Sequence, residues 1–281
     1  MKIIISCDST CDLGNDLIKE NDIQVMPLLV NLGEKSYQDG VDIKIEDIFD
    51  FVDKTGELPK TAARSIYEYE EHFKKCLENG DYLIHISLSS ELSSSYSNAK
   101  LAADSFDNVI VVDSLSLSTG YGLLVLKACQ FAKENLAPTE IEQRIIALVP
   151  KVQASFVVNT LKYLYKGGRC SAVAMFGANL LKIKPSILVK DGKMGVGKKY
   201  MGKLSDSLVK YTNNLLEEND YNKEMVFITY SSDSSNSVAT LEELLKSKGF
   251  EKIYKTIAGS TITSHCGPDC LGVLFLNNKN W

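Results

Sequence analysis

The sequence predicts an α/β protein of two domains: an N-terminal domain, residues 1–150, on a parallel sheet of Rossmann-like type, and a C-terminal α/β domain, residues 151–281. Three observations predict it. Short apolar, β-branched runs alternate with helix-like runs through the first half, the pattern of a parallel sheet covered by helices. After about residue 150 the alternation gives way to a hairpin signal and further α/β segments. The chain has 281 residues, 44% of them hydrophobic, enough for a large core divided between two domains.

Taken in order, "KIIIS" at 2–6 reads as a buried strand, followed by "CDSTCDL", whose Asp and hydroxyl side chains bond nearby backbone and open turns. "VMPLLVNL" at 25–32 reads as a second strand, with Pro27 marking an edge or a strand start. "DYLIHISL" (81–88) and "NVIVVDS" (108–114) read as strands; "SYSNAKLAADSF" (95–106) and "TGYGLLVLKACQFAKEN" (119–135) read as helices. A further helix opens at Pro138–Thr139 and ends near Pro150. "ASFVVNT" (154–160) is a strand, and "LKYLYKGGRCS" a short helix stopped by Gly167 and Gly168. "KPSILVKDGKMGVGKKY" is a hairpin turning at Asp191-Gly192. Helix 202–219, strand 225–230, helix 235–248, strand 252–258 and the strand "CLGVLFL" complete the chain. In parallel sheets ligands bind beyond the carboxyl ends of the strands. The hydroxyl- and acid-rich segments "CDSTCDL", "SLSSELSSSY" and "VDSLSLSTG" each follow a predicted strand and should meet at one crevice.

Composition excludes several roles. The formal net charge is −5, which disfavours nucleic acid as a partner. No apolar run nears the roughly 20 residues of a membrane span, and the N-terminal apolar stretch is too short for a signal peptide core. The protein is expected in the cytoplasm, with its seven cysteines reduced. Cys7 with Cys11, and Cys266 with Cys270 beside His265, depart from the usual metal-ligand spacings, so no metal is expected. "GKMGVGKK" (192–199) places Lys199 where a phosphate-binding loop needs a hydroxyl, and it is rejected as a nucleotide site.

Of the three histidines, His72 is read on a solvated helix face and His85 as a satisfied core residue. His265 stands between hydroxyls and a Gly-Pro turn, where a site residue and a turn residue are equally good readings. Ser93, His265 and Asp113 supply the residue types of a hydrolase, but no G-x-S-x-G elbow is present. The clustered hydroxyls suit the holding of a carboxylate or phosphate by neutral donors. Arg169, after two glycines, is either part of such a site or a solvated helix end.

Together these stretches resemble the DegV family of bacterial fatty-acid-binding proteins, which includes the partners of fatty acid kinase. The resemblance rests on "DSTCDL", "ISLSSELSSSYSNA", "VVDSLSLSTGYGLLV", "LKYLYKGGRCS" with "LLKIKPSILVKDGK", and "SHCGPDCLG", in the family's order over nearly the whole chain. It implies one long-chain fatty acid, its tail buried and its carboxylate at the interdomain crevice. By motif position Thr61 and Ser93 hydrogen-bond the carboxylate, and His265 and Arg169 join the site. The implied protein partner is a kinase subunit that makes acyl phosphate, so this chain is a carrier rather than an enzyme. It needs no cofactor and makes only transient membrane contact. The alternative is a hydrolase or phosphotransferase acting on a small anionic substrate. The sequence departs from the family at Thr61-Ala62-Ala63-Arg64-Ser65, where Thr-Ser-Gln-Pro-Ser is usual, and at Glu91 and Asp269, where glycine is usual. "GLLVLKA" (122–128) and "SAVAMFGANLL" (171–181) are candidates for the acyl channel or for plain core. Arg169, Lys182, Lys184, Lys198 and Lys199 are expected to contribute to a basic docking patch.

Overall fold

The structure, a computed structural model, describes residues 1–176, 183–232 and 235–281. The chain opens with β1 (Ile3–Asp8), α1 (Asn15–Glu20) and β2 (Gln24–Met26), which lies parallel to β1. It then makes β3 (Leu29–Leu32), β4 (Lys35–Gln38), α2 (Ile45–Thr55) and β5 (Lys60–Ala62). The segment 25–32 is therefore two strands, not one. Pro27 lacks the N–H a ladder needs, and the chain leaves the parallel sheet there to found a separate antiparallel sheet, β4-β3-β5.

Next come α3 (Ile66–Leu77), β6 (Tyr82–Ser87), α4 (Ser95–Ala103), β7 (Val109–Asp113), α5 (Thr119–Lys133) and α6 (Pro138–Leu148). The parallel sheet runs β2-β1-β6-β7. Its strands are apolar on both faces because both faces are covered. Ile4, Leu83 and Val111 pack with Tyr69, Phe73 and Ala99 of α3 and α4. Ile5, Ile84, Ile86 and Val112 face the other way, toward Tyr121, Leu124 and Ile141 of α5 and α6.

The second half begins with β8 (Val152–Val157) and α7 (Lys162–Gly167), closed by Gly168 at φ +70°. The hairpin β9 (Ile183–Lys190) and β10 (Lys193–Met201) turns at Asp191 and Gly192, both at positive φ. Then follow α8 (Leu204–Glu218), β11 (Tyr221–Tyr230), α9 (Ser235–Ser247), β12 (Lys252–Ile257), α10 (Ser260–Cys266) and β13 (Leu271–Asn277). These strands form one mixed sheet, β10-β9-β8-β13-β11-β12. Helix α5 packs against both β1 and β8, so one apolar core runs from the parallel sheet into the mixed one. Residues 122–126 and 128 are buried in that core. Among the described residues, no helix is long and apolar enough to cross a membrane.

Candidate functional site

A cavity of about 880 Å³, including its open mouth, lies where the three sheets meet. Its walls come from distant parts of the chain. Thr10, Leu88, Leu92 and Leu117 lie beyond the carboxyl ends of β1, β6 and β7, where parallel sheets bind ligands. Thr61 and Ala62 of β5 close one side; Phe156, Met194 and Leu274 of the mixed sheet form another. Helix α10 adds Thr261, Ile262, His265 and Cys266. Residues 122–128 do not line this cavity, so the acyl-channel reading of that segment gives way to core packing. Part of the other channel candidate, 177–181, lies outside the described residues, as does Lys182.

Thr61, Ser93, Arg169 and His265 all line the cavity. Thr61 Oγ1 and His265 Nε2 are hydrogen-bonded at 2.8 Å, although the residues are 204 apart in sequence. Strand pairing sets Thr61, which stands opposite Val30; α10, not the expected turn, carries His265. Burial, with the Arg169 charge acting in the same direction, pushes the His265 imidazole down to about 4, so it is neutral near pH 7. Its Nδ1 faces Gly167, where a Cβ would come within 2.6 Å. Arg169 is exposed at the rim, its guanidinium donating to Gly167 O at 2.8 Å. Ser93 lines the cavity and also closes a local turn: its Oγ accepts the Ser95 N–H at 3.2 Å and bonds Ser95 Oγ at 3.0 Å.

The serine-rich loop is held from below by Asp8. The carboxylate accepts Tyr69 O–H at 2.6 Å, Ser87 O–H at 2.7 Å and Leu88 N–H at 2.9 Å. His85 Nε2 stands 3.4 Å from Asp8, and His85 Nδ1 bonds Ser6 Oγ at 3.0 Å. Burial alone would raise the Asp8 carboxyl, but the hydrogen bond and charge of His85, with the Tyr69 and Leu88 donors, leave it below its ordinary value. His72, half-buried, completes this group. It is not on a solvated face as the sequence suggested: its Nε2 bonds Ser6 Oγ at 2.7 Å, and burial pushes its imidazole down to about 4.

The departures at Arg64 and Asp269 have local explanations. Arg64 Nε donates to Pro27 O at 2.5 Å and its guanidinium pairs with Glu68 at 2.8 Å. Asn98 of α4 donates to Arg64 O at 2.7 Å, tying the Thr61 loop to the serine-loop helix. Ser65 caps α3 in a capping box with Glu68. Asp269 sits at φ +54°, a conformation that favours glycine, and bonds Asn159 and Ser232.

Sequence reasoning missed a second group, Asp12 and Asp39. Both are buried, 5% and 2% exposed. Asp12 accepts Ser118 O–H at 2.5 Å and Gly259 N–H at 2.8 Å. Asp39 accepts Ser260 N–H at 2.8 Å and Ser9 O–H at 2.9 Å. Burial pushes the Asp12 carboxyl up to about 8 against its two hydrogen bonds, and the Asp39 charge adds to the rise. The segment "CDSTCDL", which ends in Asp12-Leu13, could have signalled Asp12; nothing local singled out Asp39.

The hydrolase alternative finds no triad. Asp113 accepts the Ser90 and Leu115 N–H groups of its own loop, Ser93 is engaged with Ser95, and His265 with Thr61. Within the expected basic patch, Lys184 bonds the neutral Asn159 and Lys198 pairs with Glu218, so the Lys198 charge is partly neutralised inside the chain. Among the described residues, no three His, Cys, Asp or Glu side chains converge as metal ligands would.

Comparison with known proteins gives a consistent likeness. The family profile described as "Uncharacterised protein, DegV family" matches residues 2–278. A DegV domain-containing protein of Clostridium acetobutylicum is 33% identical over 277 residues, covering 98% of each chain. Among solved structures, a DegV family protein from Thermus thermophilus described for fatty acid binding is 28% identical and has a TM-score of 0.91, over 99% of this chain and all of that one. A Thermotoga maritima protein whose structure reveals fatty acid binding function is 26% identical with a TM-score of 0.85, over 99% of both.

Proposed function

Because the chain belongs to the DegV family, we propose that it holds one long-chain fatty acid and presents the carboxylate to a fatty acid kinase for conversion to acyl phosphate. In this reading lobes 1–150 and 151–281 close on the acyl chain in the cavity, and the carboxylate meets Thr61, Ser93 and His265 with Arg169 at the rim. The observation that carries it is the cavity itself: leucine, phenylalanine and methionine walls, with the hydrogen-bonded Thr61 and His265 among its polar lining residues. The fatty acid binding described for the Thermus and Thermotoga proteins supports it.

The physics fits a carrier. Burial of the tail supplies the affinity, roughly 0.8 kcal/mol per methylene. The head group would face hydroxyls, a neutral imidazole and one exposed arginine. A carboxylate held so is not locked into a buried ion pair, whose disruption leaves a charge stranded at a cost of about 3–5 kcal/mol. It can be handed on. The acyl phosphate forms on the kinase, and this chain positions the acceptor oxygen.

The test is direct. The protein is denatured, extracted with organic solvent, and the extract weighed by mass spectrometry against protein. One fatty acid per chain is expected, and the loaded protein should yield acyl phosphate with ATP and a fatty acid kinase. An empty protein that turns over small esters would refute the reading.

A further inference from the structure

Helix α10 brings His265 to the cavity, yet what fixes the helix lies at its other end. Its first two N–H groups, from Gly259 and Ser260, are not left to solvent. Asp12 takes the first at 2.8 Å and Asp39 the second at 2.8 Å. A Cβ on Gly259 would lie 3.1 Å from Asp12 Oδ1 and 3.2 Å from Asp39 Oδ1, so the two carboxyls grip the helix entrance from adjoining sides. Each is braced in turn: Asp12 by Ser118 beyond β7, Asp39 by Ser9 beyond β1. Ser9 Oγ also accepts the Leu28 N–H at 3.1 Å, and Asp39 N–H bonds Leu28 O at 2.9 Å. The grip thus joins the loops of the parallel sheet to a helix from the far end of the chain.

We infer that Asp12 and Asp39 are positioning residues for His265. His265 is five residues beyond Ser260, roughly 7.5 Å along the helix axis at 1.5 Å per residue. Over so short a lever, a shift of about 1 Å at the gripped end reaches His265 nearly undiminished. The 2.8 Å bond to Thr61 would then stretch past the hydrogen-bond limit of about 3.2 Å. Errors of about 1 Å at a reacting group can cost a hundredfold in rate. For function the inference rests on the fatty-acid reading above; for structure it does not.

The chain has three histidines, which makes a selective readout available. Long-range ¹H–¹⁵N spectra of ligand-free protein are recorded, with His265 assigned through His265→Gln. Asp12→Ala and Asp39→Ala should move the His265 ring signals while those of His72 and His85 stay in place. Asp12→Asn and Asp39→Asn keep an oxygen that can accept the backbone N–H and should restore the native His265 signals. If the alanine variants fail to fold, Ser260→Pro decides the question. It deletes the N–H that Asp39 accepts at a helix position where proline is tolerated, and it should move His265 as Asp39→Ala would. Native His265 signals in the folded alanine variants or in Ser260→Pro overturn the inference, and so does uniform movement of all three histidines. In parallel, [1-¹³C]oleic acid is added. A wild-type protein that does not bind it refutes the fatty-acid reading and leaves the ring-nitrogen result to stand by itself. If it binds, the carboxyl signal should move in Asp39→Ala in the same direction as in His265→Ala, with a tail affinity loss under about tenfold.

Discussion

Replacing Asp12 by asparagine should make the protein more stable at alkaline pH and remove a specific part of its pH dependence. Asp12 is buried and its carboxyl is pushed from 3.8 up to about 8. The folded state therefore holds a proton that the unfolded chain releases between those values. By linkage, the stabilisation is full below about pH 4, declines as pH rises through that window, and is gone above about pH 8. One pH unit is worth 1.36 kcal/mol, so the shift from 3.8 to about 8 sets an upper bound of about 6 kcal/mol. The asparagine side chain of Asp12→Asn can accept the Gly259 N–H with its carbonyl and donate its amide to Ser118 Oγ, reproducing both contacts without a proton to lose. Urea unfolding at pH 5, 6.5, 8 and 9 measures the effect. The difference between variant and wild type should grow with pH in favour of the variant by several kcal/mol and level off above pH 8. The histidines are common to both proteins and cancel in the difference. A difference that is constant from pH 5 to 9, or that grows in favour of wild type, would refute the reasoning.

Gly167→Ala should drive a methyl to within 2.6 Å of His265 Nδ1; a destabilisation of about 1–3 kcal/mol is expected, with loss of the Thr61–His265 bond visible in the His265 ring-nitrogen signals. Thr61→Ala or Ser93→Ala should weaken carboxylate holding by roughly 1.5–3 kcal/mol, read as ten- to a hundredfold slower acyl-phosphate formation while oleic acid stays bound; the double variant should be nearly inactive, and wild-type rates in it would return both hydroxyls to structural roles. Acidification from about pH 6.5 down to pH 4 should cost stability at His72 and His265, opposing the Asp12 gain over the same window, because burial holds both imidazoles neutral with values near 4 and the unfolded chain takes up protons first; His72→Gln should gain stability relative to wild type as pH falls through that window in acid unfolding curves.

Much of the fold is determined by the sequence itself. Runs such as "KIIIS" and "NVIVVDS" become strands because they are apolar on both faces, and β1, β6 and β7 form the parallel sheet expected of them. The hairpin turns at Asp191 and Gly192, since the backbone there needs the positive φ those residues tolerate. The hydroxyl-rich segments after these strands do meet one cavity. Tertiary structure decided the rest. Pro27 splits a run of uniform apolar pattern, and only the pairing of Val30 with Thr61 shows where its second part goes. Residues 122–128 are apolar all round, which marks burial but not what they are buried against; packing between two sheets makes them core rather than channel wall. The same holds for contacts between segments far apart. Thr61 meets His265 across 204 positions and Asp12 meets Gly259 across 247. Periodicity and turn chemistry act over a few residues, so the order of the segments told what would gather at the crevice, and only the folded chain told which atom faces which.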